Sequence, residues 1–202
     1  PHMDHIKDIC FLLENTFSKD RKPLTLRSIK GVLDALHTHI FNDIIWPDFS
    51  KIHVNNQEPL LKFQEIKGSA FVNGYKVTPF KVNHFKYAVG YLVDDGSRQV
   101  LFTGDTGPCK TIWEVANQCP NLVAIFTEIT FPSRMEKLAR ASCHYTLDLL
   151  LNDIKGLKKK EVPFYISHLK PLFLEETLEE FSQKAPDYFH LLHEDDECRL
   201  DV

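Results

Sequence analysis

The sequence has no apolar run near the ~18–20 residues a membrane-spanning helix needs, which excludes a helical span. Its five cysteines (Cys10, Cys109, Cys119, Cys143 and Cys198) are odd in number and form no C-x-x-C pair. They offer neither a disulfide framework nor a thiolate zinc site, and they favour a reducing, cytoplasmic compartment. Net charge is small, 24 Lys and Arg against 28 Asp and Glu leaving −4. Such a surface presents no broad field to a phosphate backbone, so an extended nucleic-acid grip is disfavoured. Small anions stay in play, because a bound metal ion outweighs that net charge locally. No Gly/Ser linker, internal repeat or low-complexity tract divides the 202 residues, and the expectation is a single domain over 1–202.

What is present is a run of short elements. Ile6–Leu13 reads as a helix, and 15–23 as a polar loop. Leu26, Ile29, Leu33, Leu36, Ile40 and Ile44 step by three and four, predicting one amphipathic helix capped by Thr25 and stopped before Trp46-Pro47. Asn73-Gly74 and Asp94-Asp95-Gly96 mark two hairpins, the second between strands at Tyr87–Val93 and Val100–Thr103. Leu122–Phe126 and Phe164–Ile166 suit buried strands, and Leu147–Leu157 and Leu174–Phe181 suit helices. Hairpins followed by alternating strands and helices predict a layered α/β sandwich.

Four apolar runs end on a residue able to bind a metal or move a proton. Thr78–Val82 leads into Asn83-His84, Val100–Thr103 into Gly104-Asp105, Val123–Phe126 into Thr127-Glu128, and Phe164–Ile166 into Ser167-His168. Ligands gather at the carboxyl ends of strands in open α/β sheets, so His84, Asp105 and His168 are expected along one edge. The opening His2-Met3-Asp4-His5 adds H-x-D-H, and Ser142-Cys143-His144 adds another imidazole. Imidazoles and carboxylates without thiolate suit zinc, manganese or iron. Asp105 has two oxygens with which to bridge a pair of ions, the arrangement of two-metal hydrolases.

The order of these residues resembles the metallo-β-lactamase superfamily, whose hallmark is H-x-H-x-D-H followed by a distant His, a bridging Asp and a final His. The chain looks more specifically like a class II cyclic-nucleotide phosphodiesterase. That likeness is carried by Leu36–Pro47 (LHTHIFNDIIWP), Leu101–Pro108 (LFTGDTGP), Ile125–Arg134 (IFTEITFPSR), Ser142–Thr146 (SCHYT) and Tyr165–Pro171 (YISHLKP). The resemblance implies a four-layer αββα sandwich, lacking its N-terminal strands in this chain, so that 1–202 is an N-terminally incomplete metallo-hydrolase domain. The family's first histidine would stand one position before Pro1.

Carried over by position, the resemblance implies two divalent metal ions, zinc before manganese or iron. His2 and His84 would hold one, Asp4, His5 and His168 the other, and Asp105 would bridge them. His144 and Asp4 would be catalytic, His144 at the scissile phosphate and Asp4 orienting a metal-bridging hydroxide. The implied reaction opens 3′,5′-cyclic AMP, or cyclic GMP, to the 5′-monophosphate. The implied partner is a small cyclic nucleotide, with no membrane and with a homodimer allowed. A transfer-RNA 3′-processing endoribonuclease of the same superfamily and a metal-poor inactive scaffold are the alternatives. His39 and Glu128 are weighed as residues that support the site, Trp46 and Phe49 as base-stacking surfaces, and the lysines at 155 and 158–160 as an RNA contact, while His37, two residues from His39 on the helix, faces another direction. Packing or solvent exposure is the default for each.

Overall fold

A computed structural model describes residues 1–16, 22–53, 58–160, 162–193 and 195–200, so part of the expected loop over 15–23 lies outside the described residues. The chain divides into two compact units, Pro1–Gly68 and Ser69–Val202, each with its own apolar cluster.

In the first unit, α1 (Met3–Asn15) and α2 (Lys30–His39) bring Cys10, Leu13 and Leu36 together with Phe41 and Leu61. The single helix expected from Leu26 to Ile44 is not what forms. Leu24–Ser28 is instead a strand, β1, paired in parallel with β2 (Leu61–Glu65). The leucines at 24 and 26 also fit a two-residue period, and pairing with β2 satisfies a backbone that a helix would otherwise have to satisfy alone. The helix starts only at Lys30. Beyond His39 the Asn42 side-chain oxygen accepts from the N–H groups of Ile44 and Ile45, turning the chain and leaving both isoleucines exposed. Trp46 and Phe49, weighed as base-stacking surfaces, pack beside this cluster, Trp46 edge-on to Phe11 at 5.5 Å.

The second unit is built on a seven-stranded mixed sheet in sequence order. Asn73 and Gly74, at φ 50° and 92°, supply the left-handed pair that a tight hairpin needs between β3 (Ala70–Val72) and β4 (Tyr75–Lys81). The second expected hairpin joins β5 (Val89–Asp94) and β6 (Gln99–Phe102), its loop tied by the Asp95 carboxylate to the N–H groups of Ser97 and Arg98. Then β7 (Leu122–Glu128), β8 (Phe164–Ser167) and β9 (Phe189–Leu191) follow in parallel with β6. Strand β5 passes so close to its neighbours that a Cβ on Gly90 would lie 2.4 Å from the Phe80 ring and 2.7 Å from the Phe102 carbonyl oxygen.

Between strands, α3 (Lys110–Gln118) packs Ile112, Trp113 and Ala116, and α5 (Leu147–Asp153) packs Leu147, Leu149 and Leu150. They join Leu101, Ile125, Phe164, Ile166 and Phe189 of the sheet in one cluster. Full burial of each such side chain contributes about 1.5–3 kcal/mol. Two further helices, α4 (Glu136–Ser142) and α6 (Leu174–Lys184), complete the unit. The α/β class, a mixed sheet with helices, is as expected. Among the described residues no helix is long and apolar enough to cross a membrane.

Candidate metal centre

Strand β4 is antiparallel to β5 and β5 to β6, so β4 runs in the same direction as β6, β7 and β8. The carboxyl ends of those four strands therefore emerge at one edge, and the sequence places a residue able to bind a metal or move a proton at each. His84 and Asp105 lie just past β4 and β6, Glu128 is the last residue of β7, and His168 follows β8 directly.

The side chains converge. Asp105 Oδ2 lies 3.9 Å from His84 Nε2 and 3.5 Å from His168 Nε2. Asp105, Glu128, His144 and His168 each offer a ligand atom within 4.8 Å of the others. Ligands about 2.1 Å from a tetrahedral ion are about 3.4 Å apart, so Asp105 has close to the spacing to share one cation with His168 and, on its other side, another with His84. The set contains no thiolate and suits zinc, manganese or iron.

The outward side of each ring is fixed. His84 Nδ1 donates to the Cys143 carbonyl at 2.9 Å, an acceptor only, which puts the proton on Nδ1 and the lone pair on Nε2 toward Asp105. His144 Nδ1 donates to Glu128 Oε1 at 2.7 Å, and its ring stacks on that of His168, centroids 5.4 Å apart. Glu128, only 1% exposed, also accepts from the Thr106 N–H at 2.7 Å and from the Thr130 hydroxyl. The Asp105 turn is thus held on one flank by Glu128. It is held on the other by Asn83, whose N–H donates to Thr106 Oγ1 at 3.1 Å.

His144 owes its position to the end of α4. Cys143 takes the left-handed conformation, φ 57°, that closes a helix, and the His144 N–H returns to the Ala139 carbonyl at 2.8 Å. Thr146 then caps α5 through Leu149 N–H. Gly107 lets the two loops meet, since a Cβ there would come within 3.3 Å of the Cys143 backbone.

His84, Asp105, His144 and His168 are therefore brought together within the second unit. The remaining sequence-predicted ligands lie at the start of α1 in the first unit. His2 is the N-cap residue, Asp4 and His5 are in the first turn, and His5 Nε2 is 4.0 Å from Asp4 Oδ1. His37 pairs with Asp48 at 3.0 Å and His39 is exposed at the end of α2. Lys155 and Lys159 donate to Asn152 and to the Pro120 carbonyl at a helix end, the default expected of them. Sequence reasoning did not single out Thr130. Its signal was the Glu128-Ile129-Thr130 alternation, which places residues 128 and 130 on one side of an extended chain.

The chain is similar to several known proteins. Over an 86-residue segment the chain is 29% identical to 3′,5′-cyclic-nucleotide phosphodiesterase 1 of Saccharomyces cerevisiae, which is 42% of this chain and 23% of that protein. It is 28% identical to the 3′,5′-cyclic-nucleotide phosphodiesterase of Schizosaccharomyces pombe, over 41% of this chain and 22% of the relative. The matched segment is thus less than a quarter of either relative's length. The fold is similar to that of unliganded yeast PDE1, with a TM-score of 0.71 at 21% identity over 95% of this chain and 63% of the other. It is also similar to the short form of human tRNase Z, with a TM-score of 0.67 at 13% identity over 100% and 76%. A family model described as a beta-lactamase superfamily domain matches residues 1–193, and the chain belongs to that superfamily.

Proposed function

We propose that the chain is the metal-dependent catalytic domain of a phosphodiesterase that opens a 3′,5′-cyclic nucleotide, cyclic AMP or cyclic GMP, to the 5′-monophosphate. The observation that carries this reading is the approach of His84 and His168 to the Asp105 carboxylate, with the Glu128–His144 pair beside it. The two curated relatives, both named cyclic-nucleotide phosphodiesterases, support the substrate class. One family model running from residue 1 to 193 supports treating 1–202 as a single metallo-hydrolase domain. Five free cysteines suit a reducing, cytoplasmic setting.

By the sequence resemblance, His84 with His2 and His168 with Asp4 and His5 would hold two divalent ions, zinc best suited to the donors, and Asp105 would serve both. When bound, such ions supply an activated water near neutral pH and offset the charge of the phosphodiester. The residues of the chain do the rest. By the same resemblance, Asp4 would orient the attacking water. Glu128 holds the Nδ1–H of His144, which directs Nε2 outward, and His144 gives a proton to the 3′ oxygen as its bond to phosphorus breaks.

The test combines metal content with turnover. Asp105→Ala and His168→Ala should lose both metal and hydrolysis. His144→Ala should keep its metal and turn over about 10²–10⁴-fold more slowly. A metal-loaded protein that cleaves precursor tRNA but not cyclic AMP would replace the substrate assignment. A metal-poor protein active on neither would replace the enzymatic one.

A further inference from the structure

We infer that Thr130 is a positioning residue for the metal centre, its hydroxyl fixing the ring of His168 and tying it to the Glu128–His144 pair. The inference rests on the reading above that His168 is a metal ligand, and it goes beyond that reading by assigning what holds the ligand in place.

Thr130 is fully buried. Its Oγ1 meets three groups: Glu128 Oε2, His168 Nδ1 at 2.8 Å and His144 Nδ1 at 3.3 Å. A hydroxyl has one proton to give and two lone pairs to receive with. The Glu128 carboxylate only accepts, so the Thr130 proton goes there. Both lone pairs then face the imidazoles. His144 has already committed its Nδ1–H to Glu128 Oε1 at 2.7 Å, so the short contact to His168 is the one that Thr130 accepts in full. The proton of His168 is thereby placed on Nδ1, and its Nε2 lone pair faces Asp105 Oδ2.

His168 stands at φ 66°, immediately past the last residue of β8, where the strand pairing with β7 has ended. Thr130 is well anchored. Its own N–H donates to the Tyr145 carbonyl at 3.0 Å, and a β-branched side chain is stiff about χ1. The orientation of Nε2 is therefore set by a residue whose hydroxyl is engaged with Glu128, His144 and His168 itself, the role that hydrogen-bonding partners of metal-binding histidines fill generally.

The test uses zinc alone, titrated against a chromophoric chelator, with wild-type protein, T130S, T130V and H168A. T130S keeps the hydroxyl and should bind zinc within about twofold of wild type. T130V keeps the shape without the oxygen and should bind about 10–100-fold more weakly. A ¹⁵N spectrum of the histidine rings in the wild-type protein, which needs no variant to fold, should show His168 protonated on Nδ1. Equal zinc affinity in folded T130V and wild type would overturn the inference, as would a His168 proton on Nε2. Should H168A bind zinc as tightly as wild type, the metal-ligand reading falls and the inference with it. Should H168A lose zinc while T130V keeps it, the inference alone falls.

Discussion

Removing one oxygen atom from Tyr145 should weaken the whole second unit. Tyr145 is fully buried, and its hydroxyl donates to Asp153 Oδ2 at 2.5 Å. The same oxygen accepts the backbone N–H of Cys109 at 2.9 Å, the N-cap position of α3, so the pair joins the end of α5 to the start of α3. A hydrogen bond to a charged acceptor is worth about 1.5–3 kcal/mol, and Tyr145→Phe should cost that much near neutral pH, read as a lowered urea midpoint at unchanged slope. The pH dependence is the sharper part. Burial first, and the Asp153 carboxylate second, push the Tyr145 hydroxyl far above the usual phenol range. A folded-state pKa raised above the unfolded value gives stability that is complete below about pH 10 and declines above it, by about 1.4 kcal/mol per pH unit. The gap between wild type and Tyr145→Phe should therefore close between about pH 10 and 12. A gap under 0.5 kcal/mol at pH 8, on the scale of about ±0.5 kcal/mol typical of surface changes, or one that persists undiminished at pH 12, would refute the reasoning.

Two further outcomes follow from the packing. Gly90→Ala should destabilise the sheet by about 1–3 kcal/mol, because the added carbon meets the Phe102 backbone, which cannot yield as the Phe80 ring can. Thermal unfolding would show it, and an unchanged midpoint would contradict the close approach. At Asp48 burial pushes the carboxyl pKa up, but hydrogen bonds from Ser50, His37 and Lys51 outweigh it and hold the group well below the usual carboxylate range. Stability from a depressed pKa is present above about pH 4 and is lost as pH falls below it, so Asp48→Asn should flatten the acid limb of the stability curve. Parallel acid limbs in the two proteins would count against the assignment.

Those residues also show where sequence was informative. The hairpins were legible because Asn73-Gly74 and Asp94-Asp95-Gly96 name their turn chemistry locally. The gathering of His84, Asp105 and His168 was legible because each ends an apolar run, and strand direction did the rest. The strand at Leu24–Ser28 was hidden, since its partner lies 37 residues away and Leu26 also fits a helical period. The run Lys110–Gln118 was not read as a helix, because its apolar residues 112, 113, 115 and 116 span little more than one turn between polar ends. β9, at three residues, falls below any periodicity. Thr130 escaped notice because a hydroxyl reveals its role only when its neighbours are known.

The left-handed backbone at Cys143 sets a limit on how this protein can be improved. A side-chain-bearing residue held there gives up about 1–2 kcal/mol, which glycine would recover in part. Yet the carbonyl at that hinge is the one that grips His84. Engineering for heat tolerance and engineering for a rigid ligand set would pull this position in opposite directions, and a gain in melting temperature there would arrive with a looser imidazole.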